Sequence, residues 1–178
     1  MNPTETSAWL GRGLRTDHGT AIASLTGMMT AGEFCNRTVV VVGKDESVLE
    51  AARLMREHHV GDVVVVEERD GDRLPVGIVT DRDIVVAIVA KAAEFLGTLR
   101  VGEIMTDLLT TASEDDPLWS VLKLMRGAGV RRLPVIDQAG VLVGIITFDD
   151  LVGYVADELN DLVSLLSHEQ TRELHRRP

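Results

Sequence analysis

Two stretches of this chain repeat one pattern: Gly77-Ile78-Val79-Thr80-Asp81-Arg82-Asp83 and Gly144-Ile145-Ile146-Thr147-Phe148-Asp149-Asp150. Each reads as an apolar strand ending at a hydroxyl residue that opens a helix, with a carboxylate three residues later. An internal repeat constrains a fold more than any local signal, because one supersecondary unit must form twice and bury its faces against its own copy. The duplication extends beyond the motif. Leu54-Met55-Arg56 recurs 70 residues later as Leu124-Met125-Arg126, and Glu33/Glu103, Asp45/Asp115, Val60/Val130 and Val65/Val135 keep that offset. At the motif the offset is 144 − 77 = 67, so the first copy holds three extra residues. The polar, turn-forming run 68–73 is expected to absorb them as a lengthened hairpin loop.

The copies cover 29–96 and 99–165, which sets repeats at 28–97 and 98–166, an extension at 1–27 and a tail at 167–178. The expected order within a copy is strand, helix, strand, strand, helix. In the second, a short strand at 108–112 precedes Asp116 as helix cap and Pro117 as first helical residue. Leu118, Val121, Leu122 and Met125 form the helical stripe, which stops near Gly127-Ala128-Gly129. Strands at 133–136 and 141–146 flank a hairpin turn at 137–140, and Thr147 opens the last helix. The first copy follows with a helix at 45–58, strands at 63–66 and 76–79, and a helix from Thr80. The fold class is α/β (α+β), two repeats packed with pseudo-two-fold symmetry. Residues 1–27 show no clear period and are expected to be disordered or a peripheral arm, and the tail to be solvated.

Composition narrows the function. Aromatic residues are only 3% against 45% hydrophobic, so the core is aliphatic and a bound base would lie mostly between aliphatic side chains. Units of 65–70 residues are marginal alone, which favours packing of the copies on each other. One cysteine, Cys35, excludes an internal disulfide and suits a reducing, cytoplasmic setting. A net charge of −10 lacks the electrostatic footprint of a nucleic-acid binder. No apolar run reaches the length of a membrane span, and no signal peptide is evident.

Val130-Arg131-Arg132-Leu133-Pro134-Val135-Ile136-Asp137 and the two Gly-apolar-x-Thr-x-x-Asp motifs resemble the CBS domain, and the pair resembles a Bateman module over about 29–165. The resemblance implies an adenosine-containing ligand (AMP, ADP, ATP, S-adenosylmethionine or NAD) in clefts between paired repeats. It also implies a homodimer and regulation of another protein, here unknown. The base would meet Thr38 and Val40 with Gly61, Asp62 and Val63 in one site, and Thr110 with Leu133 and Pro134 in the other. Backbone groups there would read the adenine edge, although each valine taken singly is more simply sheet core.

Two accounts of the motif stand side by side. Thr80/Asp83 and Thr147/Asp150 fit a capping box, in which side chains satisfy orphan amides at a helix start. The same geometry lets a hydroxyl meet phosphate or ribose and a carboxylate accept ribose hydroxyls. The copies differ in charge: Arg131-Arg132 stands where the first has Gly61-Asp62, +2 against −1. Arg131, Arg132 and Arg82 are the candidates for phosphate, since the guanidinium fork suits it, and the resemblance implies that they can serve the opposite repeat's site. The copies are thus expected to form two unequal sites.

Catalytic patterns are missing from the sequence. His58 and His59 are adjacent and would point about 100° apart on a helix. His168-Glu169 lacks the metalloprotease spacing, and no P-loop or nucleophile elbow occurs. Cys35 has no His or second Cys nearby in sequence and reads as a buried small residue. The expected function is a non-enzymatic adenine-nucleotide sensor acting as a dimer; the alternative is a scaffold of the same fold that binds no small ligand. The stripe Val152, Val155, Leu159, Leu162, Val163 and Leu166 either covers the second repeat or meets a dimer partner.

Overall fold

The computed structural model describes residues 29–89, 98–106 and 108–174. The extension expected at 1–27 lies outside them. The elements are α1 (Ala31–Phe34), β1 (Val41–Gly43), α2 (Val48–His58), β2 (Asp62–Arg69), β3 (Asp72–Thr80), α3 (Asp81–Ile84), β4 (Ala112–Ser113), α4 (Leu118–Ala128), β5 (Arg132–Ile136), β6 (Leu142–Thr147) and α5 (Phe148–Leu174). A π-helical turn, Val85–Val89, continues α3, and a 3-10 turn occupies Val101–Glu103.

Each repeat builds one three-stranded sheet, β1-β2-β3 and β4-β5-β6. In both, the first strand runs parallel to the middle one and the third returns antiparallel. The register shifts once in each sheet, between Val65 and Val66 in the first and between Val135 and Ile136 in the second, again 70 residues apart. The helices stop alike: α2 at His59 with φ 54° and α4 at Gly129 with φ 68°, both left-handed. Only glycine adopts that conformation without strain, so His59 is the less favourable terminator.

Several expectations change. The three extra residues lengthen strands rather than a loop: pairing continues to Arg69↔Asp72 around a two-residue turn. Asp70 and Gly71 both have positive φ, 54° and 93°, the pattern of a type I′ hairpin. The strand expected at 108–112 is reduced to Ala112–Ser113, because parallel pairing with β5 begins only at Ala112↔Val135, and Leu108 is 88% exposed. The first-copy helix begins at Val48 rather than 45, where the Ser47 hydroxyl accepts the Glu50 amide. In α4 the cap position is Pro117, whose ψ of 145° is extended, and the Asp116 carboxylate instead accepts the Ser113 amide at 2.9 Å. The last helix runs on to Leu174, past the boundary drawn at 166.

The opening turn of each repeat packs into the other repeat. Residues before β1 dock on the second sheet: Gly32 donates to the Glu114 carbonyl at 2.8 Å, and Asn36 and Ile145 exchange backbone bonds at 2.9 and 3.0 Å. Residues before β4 return the exchange: Gly102 donates to the Lys44 carbonyl at 2.8 Å and Thr106 to the Ile78 carbonyl at 3.0 Å. Glu33 and Glu103 serve the two turns identically, their carboxylates accepting the amides of Thr30 and Arg100. One core therefore joins Ala31 and Cys35 to Leu118, Val121, Leu133 and Ile146, and a second joins Val101 to Val42, Ala51, Val63 and Val79. A third cluster (Val64, Val66 and Ile78 against Leu142 and Ile145) seals the sheets together. This reciprocal exchange is what makes two marginal units one stable body.

The motif glycines follow from it. A Cβ on Gly77 would lie 2.7 Å from the Met105 sulfur, and one on Gly144 would lie 2.8 Å from the Asn36 carbonyl oxygen and 2.9 Å from Cys35 Cβ. Each glycine admits the other repeat's opening turn against β3 or β6.

Candidate functional site

Both motifs are capping boxes. Thr80 donates its amide and hydroxyl to Asp83 Oδ2 at 2.9 and 2.7 Å, and the Asp83 amide returns to the Thr80 hydroxyl at 3.2 Å. Thr147 and Asp150 reproduce this at 3.0, 2.6 and 3.2 Å. In each box one carboxylate oxygen carries the cap, and Oδ1 takes no hydrogen bond from the described residues. Asp83 is half-buried and Asp150 exposed.

Strand register brings the segment before each middle strand against its motif. Asp62 pairs with Thr80 and Arg132 with Thr147. The backbone links one residue further out: Asp81 donates to the Gly61 carbonyl at 3.0 Å, and Phe148 donates to the Arg131 carbonyl at 2.7 Å. Gly61, Asp62, Thr80 and Asp83 thus form one group, and Arg131, Arg132, Thr147 and Asp150 its counterpart.

Other expected site residues sit differently. Val63, Leu133 and Pro134 are fully buried, so their side chains belong to the core and cannot cover a base. Thr38 is exposed, and Val40 is tied to β2 by its carbonyl, which accepts the Val64 amide at 3.0 Å. Thr110 lines a depression of about 620 Å³ whose other walls come from Thr111, Asp116 and α4 and do not include Thr147 or Asp150. Arg82 is exposed beside its motif.

The arginines are engaged within the protein. Arg132 Nη1 donates to Asp62 Oδ1, and the two side chains are 29% and 14% exposed. Arg131 donates to Asp149 at 3.0 Å and lies 5.6 Å from the centre of the Phe148 ring, with its side chain still 71% exposed. Burial pushes the Asp62 carboxyl above its ordinary value, the Arg132 guanidinium opposes the rise, and the Asp81 carboxylate adds to it. Sequence reasoning missed this pair. Its signal was present: Asp62 and Arg132 are 70 residues apart, hence equivalent positions, and equivalent positions meet when they lie on the axis relating two copies. At Asp62 and Arg132 the charge difference between the copies therefore goes into an ion pair between them.

Two groups outside the motifs are engaged within the protein. Cys35 is buried, its thiol donates to the Gly32 carbonyl at 3.6 Å, and burial pushes it above its ordinary value, which disfavours the nucleophilic thiolate. A depression of about 770 Å³ between the β1–α2 turn and the end of β2 holds Lys44, Arg69 and Arg100. There Glu67 pairs with Lys44 at 2.7 Å and Arg69 at 3.2 Å, and Arg100 donates to the Asp45 carbonyl at 3.0 Å. Among the described residues no His, Cys, Asp and Glu side chains gather into a metal-ligand set, and no helix is long and apolar enough to cross a membrane.

Comparison with known proteins agrees with this architecture. The family model of the CBS domain matches residues 31–90 and again 101–157. Hypoxic response protein 1 of Mycobacterium tuberculosis is 35% identical over 130 residues, 73% of this chain and 87% of that protein. A Methanopyrus kandleri protein is 36% identical over 124 residues, 70% of this chain but only 61% of that protein's length. Among solved structures, the CBS domain pair of protein MJ0100, in complex with 5′-methylthioadenosine and S-adenosyl-L-methionine, superposes with a TM-score of 0.62 at 26% identity, covering 73% of this chain and 98% of that one. With two matched copies, the shared sheet topology and these relatives, the chain belongs to the CBS domain family.

Proposed function

We propose that this chain is a non-enzymatic regulatory module, built of repeats 28–97 and 98–166, that binds an adenosine-containing ligand beside its Thr-x-x-Asp motifs. The observation that carries the proposal is the free edge of each capping box: Thr and one Asp oxygen hold the helix start, and Oδ1 stays open for a ribose. The adenosine compounds bound by the MJ0100 pair support the choice of ligand class. The described residues supply no nucleophile and base pair, so the output is conformational: ligand favours one arrangement of repeats or protomers, and a cytoplasmic partner protein reads it.

The assembly is a homodimer through α5. Leu151 and Tyr154 turn inward, Tyr154 packing edge-on against Phe34 at 5.6 Å, whereas Val152, Val155, Leu159 and Leu162 face out at 49–56% exposure. Their 3-4-3 spacing is that of a helix–helix seam, which a second copy of the helix satisfies.

Calorimetry with adenosine, AMP, ATP and S-adenosylmethionine tests the reading. Asp83→Ala and Asp150→Ala should each weaken their site about 10- to 100-fold, the worth of hydrogen bonds to a charged group. Melting temperature is measured alongside. Unchanged affinity with a lowered melting temperature would assign the carboxylates to capping alone, the role their Oδ2 contacts already fill. No binding of any of these compounds by the unaltered protein would leave the scaffold function in place of the sensor.

A further inference from the structure

We infer that Asp62 and Arg132 form a charge lock on the axis between the repeats, and that the lock makes the clefts select adenosine ligands without a polyphosphate. The inference rests on the adenosine-binding reading and specifies its ligand. Asp62 and Arg132 each open a middle strand, each stands in register with a motif threonine, and they are equivalent positions in the two copies. Two identical residues there would set like charges or two half-buried carboxylates against each other. Opposite charges neutralise the axis instead.

The consequence falls on phosphate. For Arg132 to serve a phosphate it must leave Asp62, whose carboxylate is then stranded in a mostly buried place next to Asp81, and breaking one side of such a pair is the costly change. Arg131 pairs with Asp149, but both side chains are largely exposed, so the pair is weak and leaves Arg131 available beside Asp149 and Asp150. Arg82 is left as the cation beside the first motif, and it follows Asp81 and precedes Asp83. A triphosphate thus meets a surface richer in carboxylates than in available guanidinium groups. A neutral or sulfonium-bearing adenosine compound needs no such compensation.

Isothermal calorimetry at fixed ionic strength with adenosine, ATP and inorganic tripolyphosphate, on the unaltered protein and on Asp62→Asn, tests the lock. The unaltered protein should bind adenosine at least as tightly as ATP. Asp62→Asn releases Arg132, so its ATP-to-adenosine affinity ratio and its affinity for tripolyphosphate should rise about 10- to 100-fold. Tighter binding of ATP than adenosine by the unaltered protein, or an unchanged ratio and unchanged tripolyphosphate binding in the variant, overturns the inference. A gain in tripolyphosphate binding without adenosine binding by either protein would support the lock and refute the adenosine-ligand reading, so the two fail separately. Asp62→Ser, shorter and uncharged, replaces Asp62→Asn should the latter not fold.

Discussion

Substituting the motif glycines by alanine separates a packing role from a binding one. At Gly144 the new methyl would meet the Asn36 carbonyl oxygen at 2.8 Å and Cys35 Cβ at 2.9 Å. Neither can swing aside, because Asn36 is held by two backbone bonds to Ile145, next to the glycine itself. At Gly77 the obstacle is the Met105 side chain, whose sulfur at 2.7 Å sits on rotatable bonds. Overpacking costs about 1–3 kcal/mol, and Gly144→Ala belongs in the upper half of that range because its obstacles are rigid. Neither glycine has positive φ, so alanine adds no backbone strain and restricts the unfolded chain, returning about 0.4–1 kcal/mol. The net for Gly144→Ala is a loss of about 1–2.6 kcal/mol, or about 2–10 °C in melting temperature for a chain of this length. Gly77→Ala should fall between neutral and about 1 kcal/mol.

Thermal and denaturant unfolding followed by circular dichroism measures both. Cys35→Ala in the Gly144→Ala background should recover part of the loss, since the sulfur is one of the crowded atoms and contacting residues couple. Gly144→Ala melting with the unaltered protein, or Gly77→Ala costing more, would refute the argument that the opening turn of the opposite repeat demands the glycine.

Two further outcomes follow from the charge lock and from α5. The Asp62 carboxyl is raised in the fold, so between its ordinary value and the raised one the folded state holds more proton than the unfolded chain. The unaltered protein should therefore gain stability relative to Asp62→Asn as pH falls through that window and lose it as pH rises; denaturant unfolding from neutral to mildly acidic pH reads the difference, and the opposite slope would mean that Arg132 outweighs burial. Leu159→Lys places a charge in the outward seam of α5 and should convert a dimer to monomer in sedimentation velocity without lowering the melting temperature of the repeats; a dimer that persists unchanged would move the interface off this helix.

The duplicated order of strands and helices was legible because it is written in local periodicity and turn residues. The stripe at Leu118, Val121, Leu122 and Met125 and the stop at Gly129 need no tertiary information. Local signals erred where a partner strand decides: pairing carried β2 and β3 out to Arg69 and Asp72, and lack of pairing cut β4 to Ala112–Ser113. The Asp70-Gly71 dipeptide was itself the hairpin signal, outweighed by the polar run around it. At the site, the Thr and Asp positions were visible as a motif. Sheet core was already the simpler reading for Val63; the burial of Leu133 and Pro134 was not legible, because a middle strand covered on both faces carries the same apolar run as one that lines a cleft.

The symmetry of the repeat explains what a single-copy reading could not. A residue and its equivalent are neighbours only near the axis, and a charged position there must differ between the copies, since a charged residue cannot pair with itself, whereas an apolar one can repeat, as Ile78 and Ile145 do. Away from the axis they can stay alike: the two capping boxes match bond for bond, and Glu33 and Glu103 cap the two exchanged turns in the same way. Divergence between Asp62 and Arg132 is thus the mark of an interface between the repeats, and the Thr-x-x-Asp motifs on either side of it keep the same capping geometry.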